Sequence, residues 1–291
     1  VRALGAIAEP RTFSILLKEL CDAAKSSAPR CSISTLRRAL SRFPLNLASG
    51  VSPLLLDSDP RVRFFGAEVI HEMVKHAVLV TGRFQLTVDN FPPQVLDAFV
   101  HRLSCDPSAN VRARSAIVLG YIADCPARDA LANLLEDRQW FVRLQAVKSA
   151  GRRGPQGLEL RIAQCLSDPD WRVREAAAHT FGQQPRSGVE VLLHQLLETE
   201  DVYMKEQIAE ELERSGLIGR WLSHLGETGF ERETQALFQL VEMGKTGLLQ
   251  DLLERPISDR QKAKLSASLG LDLPEQEQSQ ERQTASHSEP R

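Results

Sequence analysis

Apolar positions recur along this chain with a period of about 31 residues between Leu96 and Arg214. An aspartate five residues before the marker of each period and a glycine nine residues after it recur with the same spacing. Self-similarity at a fixed period of this length is typical of proteins that stack one supersecondary unit on the next. The marker itself is an apolar residue followed directly by a cation, and it stands at Val111, Val142, Val173 and Met204.

Each period contains two stripes of apolar residues with helical spacing. The first stripe has offsets of four and three, which place its members on one face of a helix. The second stripe follows the marker at four, five and eight positions, as in Val173, Ala177, Ala178 and Phe181. The pattern predicts two amphipathic helices per repeat, with small residues that let neighbouring helices approach closely. The first stripe recurs as Leu96, Val100 and Leu103, as Ala127, Leu131 and Leu134, as Leu158, Ile162 and Cys165, and as Val189, Leu193 and Leu196.

Polar residues and glycines predict where the second helix of each repeat begins and ends. Asp59, Ser108 and Asp170 stand at N-cap positions, and Pro60 follows at the first helical residue, where an amide hydrogen is not needed. The glycine column fits the C-terminal end of the same helix; it comprises Gly120, Gly151 and Gly182.

A further copy of the repeat at residues 57–70 stands farther from the next copy than one period, which predicts an insertion of about 18 residues near residues 79–94.

The repeats resemble HEAT repeats, particularly the short bacterial variety that also occurs in phycobilin lyases. The resembling segments are DPDWRVREAAAHTFG at residues 168–182, its relatives at residues 106–120 and 137–151, and ALGAIAEPR at residues 3–11. The resemblance implies an all-α fold, a right-handed α-α superhelix that is a solenoid of stacked antiparallel helix pairs. We expect the array to span residues 1–270 and the last part, residues 271–291, to be a disordered tail, because it lacks apolar periodicity.

Composition and charge bear on the setting of the protein. The formal net charge of −2 and the pI near 6.4 differ from the basic field of a dedicated nucleic-acid binder. The five cysteines are scattered and never form a CxxC pair, as expected of free thiols in a reducing compartment. No apolar run has the length of a membrane span. We therefore expect a cytoplasmic, monomeric protein, and because the chain starts at Val1 within a repeat, an upstream anchor or further repeats stay open.

The repeated aspartates and arginines allow a structural and a ligand-binding interpretation. The aspartates precede the second helix at Asp106, Asp137 and Asp168, and Thr199 interrupts the column. An aspartate in a turn can accept hydrogen bonds from helix amides, and an arginine of a neighbouring repeat can pair with it. We favour this ladder between repeats over direct ligand binding, because buried charges in proteins are usually paired.

Candidate motifs for catalysis, cofactor binding or metal binding do not meet their geometric requirements. The segment HEMVKH places His71 and His76 five residues apart, whereas the zinc-protease motif needs two histidines four apart on one helix face. We interpret it as part of a surface helix. The sequence contains no GxGxxG, GxxxxGK[ST] or GxSxG motif. We predict no catalytic residues, no cofactor and no metal.

Two features keep nucleic acid as an alternative partner. Trp140 and Trp171 occupy the same repeat position, and periodic aromatic rings can stack on bases, although packing at a turn is the simpler interpretation. Residues 101–189 contain 13 Lys or Arg against 9 Asp or Glu, a balance of +4. Residues 190–215 contain 2 against 8, a balance of −6. A basic middle followed by an acidic segment suits a charged protein partner at least as well as a duplex.

We expect the protein to be a non-enzymatic scaffold or adaptor that holds a protein partner on its concave face, formed by the second helices. We predict the contact strip to be Arg114, Tyr121, Lys148, Arg152 and His179. Alanine at Arg114 or Arg152 should then weaken binding with little effect on stability, because surface substitutions usually change stability little.

Two alternative functions stay open. The first is a chromophore-attachment factor like the phycobilin lyases, which a coloured adduct with bilin and a phycobiliprotein subunit would test. The second is a nucleic-acid binder that uses residues 101–189, which a salt-sensitive gel shift would test.

Overall fold

The computed structural model describes residues 9–27, 29–83, 85–184, 186–224 and 228–244. These residues divide between two compact units, Val1–Val189 and Glu190–Arg291. The described residues form helices and connecting turns, and no β-strand occurs among them beyond one isolated bridge between Leu86 and Ile122. The all-α fold is therefore confirmed. The predicted tail at residues 271–291 and the last part of the predicted array, residues 245–270, lie outside the described residues.

The first unit is a succession of helices that pair along the chain. The α-helices are α1 (Pro10–Lys25), α2 (Ile33–Leu40), α3 (Ser52–Leu55), α4 (Pro60–Thr81), α5 (Pro93–Asp97), α6 (Ala109–Leu119), α7 (Cys125–Leu134), α8 (Trp140–Arg153), α9 (Glu159–Gln164) and α10 (Trp171–Gly182). Shorter turns extend them: a 3-10 segment, Leu45–Val51, precedes α3, and α5 continues as a π-helical turn, Ala98–Arg102, and a 3-10 turn, Leu103–Cys105. A 3-10 turn, Cys165–Ser167, completes α9.

The second helices of successive repeats stack directly on one another. Helix α4 packs on α6, α6 on α8, and α8 on α10, while α7 packs against both α6 and α8. Helices α6, α8 and α10 begin at Ala109, Trp140 and Trp171, so their starts keep the predicted period. The marker valines of these helices are fully buried, as are Leu131, Leu134 and Ile162 of the first-helix stripe. Stacked helix pairs, predicted from the two apolar stripes, are thus confirmed in this unit.

The predicted helix starts are observed where the sequence placed them. The carboxylates of Asp59 and Asp170 accept hydrogen bonds from the amides of Arg61 at 2.8 Å and of Arg172 at 3.0 Å. Ser108 occupies the N-cap position of α6 without a side-chain cap bond, and Pro60 is the first residue of α4. Side-chain oxygens at N-caps satisfy amides that have no partner within the helix, which explains the polar residue at this column.

The glycine column lies at or near the C-terminal ends of the second helices and also permits their close approach. Gly120 has a right-handed φ of −64°, and Gly151 lies inside α8 instead of ending it. A Cβ atom on Gly120 would lie 2.6 Å from the Cβ of Ser149, and one on Gly151 would lie 2.8 Å from the Oγ1 of Thr180. The predicted place at the C-terminal end of the second helix is therefore observed for Gly120, the C-cap residue of α6, and for Gly182, the last residue of α10, whereas Gly151 lies two residues before the end of α8. The close approach of stacked second helices is a further reason for glycine at positions 120 and 151.

The predicted insertion covers the loop that follows α6. Helix α4 extends to Thr81 and ends at Gly82, which adopts a left-handed φ of 65°. Downstream, the amide of Leu86 donates to the carbonyl of Tyr121 at 2.8 Å, and the amide of Ala123 donates back to the carbonyl of Leu86 at 3.0 Å. Leu86 and Phe91 are buried. The inserted residues are thus anchored by both backbone pairing and apolar contacts.

The second unit begins within α11 (Arg186–Glu198) and continues with α12 (Val202–Arg214), α13 (Leu217–Ser223) and α14 (Glu231–Glu242). Helix α13 packs against both α12 and α14. Asp201 caps α12 by accepting from the amides of Tyr203 at 2.9 Å and Met204 at 3.2 Å. None of the helices in the described ranges has both the length and the apolar character required to cross a membrane. The buried core of this unit comprises Leu193, Leu196, Met204, Ile208, Leu212, Trp221, Leu237 and Leu240.

Candidate partner-binding surface

Three arginine–aspartate pairs, which we call the Asp–Arg ladder, join consecutive turns of the first unit. In each pair the arginine lies on the second helix of one repeat and the aspartate lies in the turn that precedes the next second helix. The Nε–Oδ2 distance is 2.6 Å in all three pairs, and a second bond of 2.7–2.9 Å joins Nη2 to Oδ1. The pairs are Arg63 with Asp106, Arg112 with Asp137, and Arg143 with Asp168. The ladder predicted from the repeated columns is therefore observed.

The remaining polar atoms of the ladder are also used within the fold. Oδ1 of Asp137 accepts from the amide of Gln139 at 2.9 Å, and Nη1 of Arg112 donates to the carbonyl of Asp106 at 2.8 Å. Burial would raise the pKa of Asp137, but the hydrogen bonds from Arg112 and Gln139 outweigh it and lower that pKa below its ordinary value. Hydrogen bonds within the fold thus use the donors and acceptors of this pair, as the structural interpretation of the repeated columns predicts.

The ladder changes chemistry at its two ends. Before the first step, Asp57 pairs with Lys25, the last residue of α1, at 2.8 Å, and the lysine is partly exposed to solvent. In the second unit, the hydroxyl of Thr199 accepts from the amide of Asp201 at 3.1 Å, the same turn bond that an aspartate makes elsewhere. Threonine therefore keeps the local turn but provides no carboxylate for an arginine, which explains how the column tolerates it.

The face opposite the buried stripes, which we call the second-helix face, carries the five predicted contact residues. Arg114 lies on α6, Tyr121 follows α6, Lys148 and Arg152 lie one turn apart on α8, and His179 lies on α10. Lys148, Arg152 and His179 are exposed, whereas Tyr121 is half-buried and the Arg114 side chain is only 22% exposed. The structure thus brings all five to second helices or their ends, but with unequal access to solvent.

Arg114 belongs to a buried ionic group that the sequence interpretation did not find. Its guanidinium pairs with the carboxylate of Glu68, a residue of α4 with a side chain only 3% exposed. The second oxygen of Glu68 pairs with Nη1 of Arg37, on α2, at 2.6 Å. The premise that Arg114 is an open surface residue was therefore wrong, and we now expect its replacement to cost stability, because removing it would leave a buried carboxylate with half of its compensating charge.

His71 and Tyr121 extend this group toward Arg152, and we call the whole set the Glu68 cluster. Nη1 of Arg114 donates to Nδ1 of His71 at 3.0 Å. The rings of His71 and Tyr121 lie 6.0 Å apart, and the guanidinium carbon of Arg152 lies 4.6 Å from the Tyr121 ring centroid. Burial, followed by the charges of Arg114, Lys75, Arg152 and Arg37, lowers the pKa of His71 to about 3. The cluster comprises Arg37, Glu68, His71, Arg114, Tyr121 and Arg152.

Part of the chain matches a known family of repeats. Residues 96–161 match the family described as HEAT repeats, and residues 161–183 match that described as HEAT repeat. Residues 96–183 are HEAT repeats. They include α6 to α10, and hence two steps of the ladder and the whole predicted contact strip. No curated protein sequence matches the chain.

Several solved structures are similar to this chain at low identity. YibA of Escherichia coli is 16% identical with a TM-score of 0.40, covering 84% of this chain and 89% of its own. The complex of CpcE and CpcF of phycocyanin lyase from a Nostoc species is 17% identical with a TM-score of 0.41, covering 86% and 92%. Crescerin, whose TOG domain array is described as regulating microtubules in the primary cilium, is 19% identical with a TM-score of 0.36, covering 63% and 83%. Because these scores are below 0.5, the fold assignment depends on the HEAT-repeat match and the observed helix contacts.

Two other sequence candidates have structural roles within the first unit. His71, from the HEMVKH segment, is half-buried in the Glu68 cluster instead of lying on an open surface, and no group of three potential metal ligands occurs in the described ranges. The guanidinium carbon of Arg172 lies 3.7 Å from the Trp140 ring centroid and 5.6 Å from that of Trp171. Packing at the turn, the favoured interpretation of the tryptophans, is observed for Trp140, while Trp171 stays 53% exposed.

Proposed function

We propose that this protein is a non-enzymatic scaffold or adaptor that binds a protein partner on the second-helix face, with Arg114, Tyr121, Lys148, Arg152 and His179 as the contact strip. The observation that carries the proposal is the contrast between the charges of the ladder and those of α8. Every arginine of the ladder is paired at 2.6 Å. Within the described residues, no carboxylate forms an ion pair with Lys148 or Arg152. Exposed charges on rigid helices are well suited to contact a second molecule.

The chemistry of the reactive side chains supports binding without turnover. Burial raises the pKa of the Cys165 thiol to about 12, so this thiol stays protonated and is a poor nucleophile. The His71 imidazole accepts a hydrogen bond from Arg114 and lies among cations that disfavour its protonation. Side chains with these surroundings serve packing and positioning better than proton transfer.

The stacking of second helices supports a surface that is organised before binding. Gly120 and Gly151 permit approaches that any side chain would block, so the spacing between α6, α8 and α10 is closely fixed. A rigid strip loses little conformational entropy when a partner docks on it. The free cysteines agree with a cytoplasmic setting, and we propose a monomer there.

Site-specific photocrosslinking tests the location of the proposed surface. One variant carries a photoreactive amino acid in place of Lys148, on the second helix α8. A matched variant carries it in place of Leu160, which is 84% exposed on the first helix α9 of the following repeat. After irradiation in extract of the native host, we expect a discrete protein adduct from position 148 that is absent from position 160.

The location of the adduct decides the outcome. Adducts of equal yield from both positions would contradict a specific second-helix surface, and the absence of any adduct from position 148 would do the same. A nuclease-sensitive adduct at position 148 would instead favour the nucleic-acid alternative. Mass spectrometry of the adduct gives the identity of the partner.

A further inference from the structure

The charges on the second-helix face are unbalanced around the Glu68 cluster. Two carboxylates lie on α4, at Glu68 and Glu72, and each already has a partner: Glu68 pairs with two arginines, and Glu72 pairs with Lys75 at 3.6 Å. His71 adds no charge near neutral pH, because its surroundings keep it unprotonated. Cations therefore exceed anions on this part of the surface. They are Arg37, Lys75, Arg114, Lys148 and Arg152.

Arg152 is held in a position that leaves its charge uncompensated. Its guanidinium lies over the ring of Tyr121, and the backbone of Tyr121 is in turn paired with Leu86 of the inserted segment. A cation–π contact orients a guanidinium without neutralising it, so its hydrogen-bond donors can still bind a carboxylate. Lys148 lies four residues earlier on the same helix, which places both cations on one face.

We infer that the partner presents an acidic polypeptide segment to this face, with one carboxylate bound by Arg152 beside Tyr121 and another bound by Lys148. The inference rests on the proposed function and specifies the side chains of the partner that bind, which are carboxylates. Positive surfaces attract acidic partners, and bidentate pairing of arginine with carboxylate adds geometric specificity. The spacing of two cations one helical turn apart matches carboxylates that lie about 5–6 Å apart on an acidic segment.

The aromatic residues favour a protein over a nucleic acid. Bases bind to exposed aromatic faces, but Arg152 lies over the ring of Tyr121, the aromatic residue of the contact strip. The exposed Trp171 stands at the start of α10, outside the strip. A short acidic segment needs only the local cations.

Fluorescence anisotropy with defined probes tests the inference on the full chain. The probes are a fluorescein-labelled peptide of about ten glutamates, a peptide of the same length in lysines, and a single-stranded DNA of the same length. We expect the glutamate peptide to bind at low ionic strength and to dissociate as salt is added. Arg152→Gln and Lys148→Gln should each weaken it about threefold to fivefold, as is typical of one exposed ion pair.

Arg102→Gln is the matched control, because Arg102 is an exposed cation on the π-helical turn after α5 and outside the second-helix face. It should bind the glutamate peptide as the unaltered chain does. Loss of binding in this control equal to that of Arg152→Gln would overturn the inference, because it would show attraction to overall charge alone. The inference would also be overturned by no binding up to about 1 mM glutamate peptide, or by stronger binding of the lysine peptide or the DNA.

These outcomes are separable from those of the photocrosslinking experiment. A protein adduct at position 148 whose yield is unchanged by Arg152→Gln would leave the proposed function standing and remove only its acidic chemistry. Both substituted side chains are exposed, so the variants should fold, and thermal unfolding within about 0.5 kcal/mol of the unaltered chain confirms it.

Discussion

The Asp–Arg ladder and the Glu68 cluster are two ionic networks of the same unit, built on opposite principles. The ladder repeats one geometry three times, with the same atoms at Nε–Oδ2 distances of 2.6 Å. The cluster occurs once in the described residues and joins side chains of α2, α4, α6 and α8 that have no counterparts in other repeats. In the central pair of the ladder both side chains are almost completely buried. In the cluster Glu68 is buried, whereas Arg152 is exposed to solvent.

The ladder therefore holds neighbouring repeats together, whereas the cluster gives one part of the surface its own combination of side chains. A ladder of identical pairs fixes the register of any repeat on the next, whatever their faces carry. The cluster uses that fixed register to bring residues from distant parts of the sequence together. Substitutions in the ladder should therefore affect stability, and those at the open edge of the cluster should affect binding.

The largest effect is expected from Asp137→Ala in the middle of the ladder. The substitution leaves Arg112, whose side chain is 8% exposed, with an uncompensated charge and also removes the acceptor for the Gln139 amide. Breaking a buried pair from one side costs about 3–5 kcal/mol, which urea denaturation measures. Asp129→Ala, at an aspartate 70% exposed beside Arg128, is the control and should cost less than about 0.5 kcal/mol. Similar losses from the two variants would show that the ladder contributes nothing special.

A smaller loss is expected from Glu68→Ala in the cluster. The buried carboxylate compensates Arg37 and Arg114, but their side chains are 29% and 22% exposed and can reach water when it is removed. We therefore expect a cost of about 2 kcal/mol, below that of a fully buried pair. Glu72→Ala, one turn further along α4, removes only a 3.6 Å surface pair and should be nearly neutral. A neutral Glu68→Ala would mean that the cluster does not help to hold α2, α4 and α6 together.

The two networks also differ in how far they could be predicted. The helix starts, the buried valines and the ladder partners recur at equivalent positions of successive repeats over residues 57–182, so comparing the sequence with itself reveals them. The pairing of Glu68 with Arg37 leaves no periodic signal, because the repeat is least regular over residues 21–50 and the contact occurs once. The bonds of Leu86 to Tyr121 and Ala123 depend on an insertion that no other repeat contains. Periodicity therefore predicts the frame, while single contacts between non-equivalent repeats require coordinates.

Gly120→Ala is expected to lower the free energy of unfolding by an intermediate amount. The new Cβ would lie 2.6 Å from the Cβ and 2.9 Å from the Cα of Ser149, so α6 and α8 must move apart. Overpacking of this kind costs about 1–2 kcal/mol in thermal or chemical unfolding. Combining it with Ser149→Gly removes the nearest atom and should recover part of the loss, as a double-mutant cycle measures. Strictly additive losses would show that the clash is not the reason for glycine at this position.

The smallest expected effect is a pH dependence of the free energy of unfolding, to which the ladder and the cluster contribute in different pH ranges. The lowered pKa of Asp137 means that its contribution is present above the ordinary value of 3.8 and is lost as pH falls below it. The pKa of His71 is also lowered, from 6.5 to about 3, by burial and by the charges of Arg114, Lys75, Arg152 and Arg37. For a histidine this means that, between these two pH values, the folded chain keeps the ring neutral while the unfolded chain takes up a proton. Its contribution is therefore present above pH 6.5 and declines as pH falls from 6.5 toward 3.

Between pH 7.5 and pH 5.5 the chain should accordingly lose about 1 kcal/mol through His71, with the ladder unchanged. His71→Gln keeps a neutral acceptor for Arg114 and should remove this part of the pH dependence, whereas His76→Gln, at an exposed histidine of the same helix, controls for the loss of one imidazole. NMR provides the direct measurement, since the His71 ring should not titrate between about pH 5 and 8. A midpoint for His71 within that range would mean that the cations do not surround it in solution, and the contrast between a uniform ladder and an individual, positively charged face would then be lost.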